Sequence, residues 1–216
     1  MRVFIDTETS GLRNPKAVEI AWSVNGGPVQ TLRCNPGKPI ELDATVVNGI
    51  RNQDVEHLPL LQDCLEYPAL KKLLEESTVV AHNAVFDIEV LANDGIIVKR
   101  SVCTKELAMK RWPNAPKHRL QHLRYWLNLD IEAVAHTAGG DVMVLMALWD
   151  AIHKNKGIDT YRADEMISSE PLPSQSPQRV RKSGSSENFG PSPSRTRRAQ
   201  LRKRIEGRKS LSKKRT

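Results

Sequence analysis

RVFIDTETSGLRNPKAVEIAWSV, residues 2–24, is the stretch on which the fold depends. RVFID is a short apolar run ending in an acid, which reads as a strand. After a turn at Ser10-Gly11, AVEIAWSV, residues 17–24, alternates like a second strand. Asn25-Gly26-Gly27 has hairpin chemistry and leads into a third strand near residues 29–34. Beyond it the spacing predicts a short helical stretch at residues 43–47, one helix through residues 60–76 and a buried strand TVVA at 78–81. A helix at 85–93 stopped near Gly95, a strand at 100–104 and a helix at 105–112 ended by Pro113 follow. Helices at 120–127 and 141–154 complete the pattern. Three meandering strands followed by helix–strand alternation predict an α/β fold, a mixed sheet flanked by helices.

The chain has 216 residues, 39% hydrophobic and 27% charged, with four Trp, enough for one packed core and too apolar for a wholly disordered chain. Trp22, Trp112, Trp126 and Trp149 sit in apolar periodic segments and are expected in the core. The longest apolar run, VMVLMALW at residues 142–149, is far short of the roughly 20 residues that span a bilayer, so no membrane association is expected. No signal-peptide pattern opens the chain. Cys34, Cys64 and Cys103 are odd in number and lack CxxC spacing, which suits a reducing, cytoplasmic location better than a disulfide framework.

Charge divides the chain. The net charge is +8, but residues 168–216 hold 14 Lys/Arg and three acids, whereas residues 1–167 hold 19 basic and 22 acidic groups. A boundary near Ser168 is therefore expected between a folded, mildly acidic domain, residues 1–167, and a disordered basic tail rich in Ser and Pro, residues 168–216. Within the tail, residues 199–209 place Leu201 and Ile205 on one face of a possible short helix. Arg197, Arg198, Arg202, Lys203 and Arg204 form the densest basic cluster, a candidate electrostatic tether to nucleic acid. A docking arm for a polymerase or other replication or repair partner, or a localisation signal, stays open as the tail's alternative role.

Three acidic clusters carry the candidate chemistry. Asp6 and Glu8 stand two apart at and just beyond the end of the first strand, a spacing that points both carboxylates to one face. In AHNAVFDIEVL, residues 81–91, a buried strand runs into a helix whose first turns carry Asp87, and strand ends of open sheets are where ligands bind. Phe86 is expected in the core and His82 as a structural histidine. In HTAGGDVMVL, residues 136–145, His136 and Asp141 would not share one face of a regular helix. They converge if His136 lies on the preceding loop and Gly139 and Gly140 loosen the helix start.

Taken together and in order, DTETSGL, HNAVFD and HTAGGD resemble the three motifs of the DnaQ-like exonucleases, in their histidine (DEDDh) subtype, over roughly residues 1–155. His136 lies five residues before the last Asp, as that subtype requires, while the position used by the tyrosine subtype is Thr137. Residues 101–112 and 40–49 also look like the corresponding segments of family exodeoxyribonucleases and polymerase proofreading subunits. One departure is Asn48-Gly49-Ile50 where many members have His-Gly-Ile. It is expected at a structural or substrate-side position, away from the acids.

The resemblance implies a ribonuclease H-like fold and a metal-dependent 3′-to-5′ exonuclease that releases nucleoside monophosphates. Four clustered carboxylates need divalent cations to neutralise them, and oxygen-only ligands point to Mg2+ or Mn2+. By resemblance Asp6, Glu8 and Asp141 hold one ion, Asp6 bridges to a second, and Asp87 positions the second through water. His136 is implied as general base, a task suited to a side chain that titrates near neutrality. Thr9, Leu12 and Asn83 are implied as substrate contacts, with Leu12 against a base. DNA, single-stranded or frayed, is the favoured substrate; RNA is the alternative, because discrimination rests on contacts to the 2′-OH. A noncatalytic nucleic-acid-binding platform is the reading from another class, and the four clustered acids argue against it.

Overall fold

The computed structural model describes residues 1–154; the expected boundary near Ser168, the tail, its cluster of Arg and Lys and the candidate helix at 199–209 lie outside the described residues. Five strands, β1 (Arg2–Thr9), β2 (Ala17–Val24), β3 (Val29–Arg33), β4 (Thr78–Ala81) and β5 (Ser101–Cys103), form one sheet in the order β3-β2-β1-β4-β5. The meander β1, β2, β3 is antiparallel, while β4 and β5 join beside β1 in parallel. The expected mixed sheet is therefore the observed one. Around it lie α1 (Leu42–Asn48), α2 (Asn52–Val55), α3 (Tyr67–Glu76), α4 (Ala84–Asn93), α5 (Thr104–Arg111), α6 (Leu120–Trp126) and α7 (Ala138–His153).

The two faces of the sheet are filled differently, and β1 shows why. Val3 and Ile5 pack with Leu70, Leu74, Val90 and Leu91 of α3 and α4, whereas Phe4 packs with Val142 and Leu145 of α7. Continuing the two-residue period, Asp6 and Glu8 belong to the α7 face and Thr7 to the α4 face. Further clusters join α5, α6 and α7 through Trp112, Leu123 and Leu148, and seat α1 and α2 on Val18 through Ile40 and Val55.

Several boundaries differ from those read in the sequence. The first strand runs on to Thr9, so Glu8 lies within it, and a register shift between Glu8 and Thr9 ends the regular pairing with β2. Residues 60–76 are not one helix: a 3-10 turn at Leu61–Asp63 precedes α3, which starts at Tyr67 with Pro68 in its first turn. Proline lacks the amide that would continue a helix from residue 64, so apolar periodicity overran a break. Helix α7 starts at Ala138, with Thr137 as its N-cap accepting from the Gly140 amide. Gly139 and Gly140 therefore sit inside regular helix and do not loosen it. Their smallness serves packing. A Cβ on Gly140 would lie 2.1 Å from the Val134 carbonyl oxygen, and one on Gly139 would lie 3.2 Å from the Thr31 methyl.

The tryptophans follow the core expectation in part. Trp22 and Trp112 are buried. Trp126 is half-buried, edge-on to Trp112 with ring centroids 6.3 Å apart, and Trp149 is half-buried, edge-on to Phe4 at 5.8 Å. All three cysteines are free. Among the described residues no helix is long and apolar enough to cross a membrane.

Candidate active site

The C-terminal halves of β1 and β4 bring the candidate acids together. Asp6 and Glu8 from β1 and Asp141 from the first turn of α7 each offer an oxygen within 4.8 Å of the others. Asp87, in the first turn of α4, reaches the same strand from the other face: its Oδ1 accepts from the Thr7 amide at 3.1 Å and the Thr7 hydroxyl at 2.9 Å. The alternation of one strand thus delivers two carboxylates to α7 and anchors a third acid from α4.

Crowding these groups in a dry site disfavours their charged forms. Burial, then the Asp87, Asp141, Glu8 and Glu19 carboxylates, hold Asp6 well above the usual carboxylate range. Glu8 is pushed up to about 8 by burial, then by Asp141 and Glu19, against a hydrogen bond from Asn48. Burial raises Asp87 to about 7 against its two bonds from Thr7. Asp141 is raised by burial and pulled down by a hydrogen bond from Gln121 and by His136. Such a set is stable only when protonated or when cations neutralise it, and its oxygen-only donors fit Mg2+ or Mn2+.

Three supporting residues, Glu19, Gln121 and Arg124, escaped the sequence reading, and a fourth, Asn48, was read there without its contact. Glu19 on β2 lies directly across from Glu8, is buried, accepts from Arg33 Nε at 2.9 Å and takes the Ala138 amide at 3.3 Å. Its signal was present, an acid inside the apolar strand AVEIAWSV. Gln121 of α6 donates to Asp141 Oδ1 through its side-chain amide, and Arg124 donates to Gln121 Oε1 at 3.3 Å. Asn48 lines the pocket beside the acids, donates to the Thr9 carbonyl at 3.3 Å and lowers the pKa of Glu8, because the C-terminus of α1 folds back over the end of β1. Nothing local in the sequence points to Gln121.

His136 is exposed on the loop before α7, in the left-handed conformation at φ 59°. The ring lies close enough to lower the Asp141 carboxylate's pKa, so the two residues converge by loop conformation rather than by a loosened helix. Arg124 braces that loop by donating to the carbonyls of Ala133, at 3.0 Å, and Ile131. His82 is held as a structural residue: Nδ1 meets the Thr104 hydroxyl at 3.0 Å and Nε2 the His118 carbonyl at 2.8 Å, and burial pushes its pKa down to about 4.

A pocket of about 290 Å3 opens beside the acids, lined by Glu8, Thr9, Leu12, Val47, Asn48 and Phe86 among others. Leu12 is 80% exposed at its rim and has no core role. Phe86, expected in the core, is half-buried and divides itself between the core and the pocket wall. The Thr9 hydroxyl is turned to the Gly11 carbonyl at 3.1 Å. Asn83 caps α4 at φ 71°, and its Oδ1 accepts from Lys105 at 3.2 Å; it does not line this pocket.

A mixed five-stranded sheet carrying clustered carboxylates where β1, α4 and α7 meet defines a nuclease with a ribonuclease H-like fold. A sequence profile of the exonuclease family matches residues 3–149, and the chain belongs to that family, with DnaQ-like relatives. It is 29% identical over 173 residues to an uncharacterized exonuclease of Escherichia phage 186, covering 71% of this chain and 88% of that protein. A DNA polymerase III subunit epsilon-like protein of Rhodobacter capsulatus is 32% identical over 180 residues, 74% of this chain but 25% of the relative's length. Among solved structures, Exonuclease X in complex with 5′ overhanging duplex DNA superposes with a TM-score of 0.60 at 28% identity, covering 70% of this chain and 90% of that one.

Proposed function

We propose that the protein is a metal-dependent 3′-to-5′ exonuclease that removes nucleoside monophosphates from DNA, at single-stranded or frayed 3′ ends. The observation that carries this reading is the meeting of Asp6, Glu8 and Asp141 within 4.8 Å beside a pocket of about 290 Å3, the size for one terminal nucleotide unit rather than a duplex. The DNA bound in the Exonuclease X structure supports the substrate class, and the motif order supports the direction.

Asp6, Glu8 and Asp141 would hold one divalent ion, and Asp6 with Asp87, whose Oδ1 the Thr7 hydroxyl fixes, would help to hold a second. When bound, Mg2+ or Mn2+ supplies charge neutralisation and Lewis acidity at the phosphodiester. The remaining work falls to the chain. His136, exposed beside Asp141, takes the proton of the attacking water at its ring; the water oxygen bonds phosphorus as the bond to the 3′-oxygen of the preceding nucleotide breaks, and that oxygen takes a proton from solvent to leave a 3′-hydroxyl. Leu12 and Phe86 wall the terminal base, while Thr9 and Asn83 contact the substrate at the edges of the site. Residues 1–167 form the catalytic unit, and the tail, through Arg197, Arg198, Arg202, Lys203 and Arg204, tethers nucleic acid nonspecifically.

Digestion of 5′-labelled DNA and RNA strands side by side, in Mg2+ or EDTA, tests the proposal. A metal-dependent ladder shortening from the 3′ end, faster on DNA, is expected. A faster RNA ladder would make the protein an exoribonuclease, and binding without shortening in Mg2+ or Mn2+ would leave a noncatalytic platform.

The Arg124 brace yields a separate expectation. Arg124→Ala should lower kcat by about tenfold to a hundredfold, the usual cost of losing an outer partner of a metal ligand, with little change in KM. It removes the support of Gln121 on Asp141 and frees the His136 loop. An unchanged kcat would show that neither needs the brace.

A further inference from the structure

The acidic body carries a basic rim on one side of its candidate active site. Residues 105–124 hold six Lys/Arg and one acid, whereas the other described residues hold 11 Lys/Arg and 18 acids. The rim is tied to the site through consecutive contacts. Lys105 donates to Asn83, the adjoining His82 bonds the His118 carbonyl, and Gln121 bonds Asp141. His118 stands between the exposed Lys117 and Arg119, and exposed His122 follows Gln121. Among the described residues, Lys105, Lys117 and Arg119 make no ion pair with an acid, unlike Lys16, Arg33, Arg51 and Lys71. On the other side of the site the pocket is edged by Glu41 and Asp43.

We propose that the rim formed by Lys105, Lys117, Arg119 and His122 binds the backbone phosphates of the nucleic-acid strand leading into the site. This inference rests on the exonuclease reading. A polyanion approaching an acidic body needs counter-charge along its path, and unpaired Lys and Arg provide it without reading sequence. The asymmetry also sets a direction: the terminal nucleotide lies toward Leu12 and Phe86, and the upstream phosphates run over α5 and the start of α6. An acidic protein partner would meet the same charges, but the rim's contacts converge on Asp141 and Asn83, where a substrate strand must pass.

The test is equilibrium binding of a short fluorescein-labelled single strand to the full chain, in Ca2+ to suppress cleavage, read by anisotropy across a salt series. Lys117→Gln/Arg119→Gln should bind several-fold more weakly at low salt. Its slope of log affinity against log salt should be shallower by about 1.4, from two phosphate contacts at about 0.7 each on a single strand. Lys72→Gln/Lys99→Gln makes the same charge change at exposed positions, in α3 and in the loop that leads into β5, and should leave the slope near that of the wild type. A wild-type slope in the rim variant, or an equal loss in both variants, would overturn the proposal. Failure of the exonuclease reading would show separately, as no shortening of the strand by the wild type in Mg2+, whatever the binding slopes.

Discussion

Asp6→Ala is expected to reduce Mg2+-dependent shortening of a labelled strand by about a thousandfold or more while the protein stays folded. A metal ion at a phosphoryl centre is worth several kcal/mol, and about 4 kcal/mol corresponds to that factor. The Asp87, Asp141, Glu8 and Glu19 carboxylates all act on Asp6, which lies among them. Its removal therefore disrupts ion binding most directly. It also removes a source of like-charge repulsion, so without metal the variant should melt at or above the temperature of the wild type. Initial rates on a 5′-labelled strand, with thermal denaturation in EDTA as the folding control, check both statements. Residual activity within tenfold of wild type would remove Asp6 from the metal-binding role.

The second large effect is a link between pH, metal and stability. Glu8 lies near 8 in the folded, metal-free chain against an ordinary value of 4.5, and Asp87 near 7 against 3.8. Acids raised in this way hold protons that the unfolded chain has already lost, so stability present at low pH declines as pH climbs from about 4 through about 8. For Glu8 the ceiling is about 5 kcal/mol at 1.36 kcal/mol per pH unit, and partial solvation reduces it to roughly 2–3 kcal/mol. In EDTA the melting temperature should fall by about 5–10 °C between pH 5.5 and 8.5, at roughly 2–4 °C per kcal/mol. Mg2+ or Mn2+ binds the ionised set, so its stabilising effect should be small at the acid end and large at the alkaline end. A melting temperature flat in pH and indifferent to Mg2+ would mean that the acids form no ion site.

Much of the site was legible because its residues sit in local patterns. Asp6 and Glu8 stand at strand spacing, Asp87 follows a buried strand by six residues, and Asp141 lies in the first turn of the last helix. Each pattern is weak alone, and their order along the chain made them informative. The boundaries were less legible: apolar periodicity carried the reading of residues 60–76 across a break that Pro68 marks, and Glu8 was placed beyond a strand that includes it. Leu12 and Phe86 show the limit of hydrophobicity as a guide. Both are apolar, yet one is 80% exposed and the other faces two ways, because the end of β1 and the start of α4 leave a pocket between them.

By itself the sequence determined the fold class, three meandering strands followed by helix–strand alternation, which follows from the two-residue and 3.6-residue periods of backbone and side chain, while the acids that meet at the strand ends were implied by the resemblance that their motifs carry in order. Only the tertiary structure decided what surrounds those acids. Glu19 meets them through the cross-strand register of β1 and β2, Gln121 through the docking of α6 on α7, and Asn48 through the return of α1 over β1. Those contacts join residues 11, 20 and 39 positions apart at their acids or strand end. No local period encodes such separations, because they are set by how the elements pack and by where loops bring the chain back.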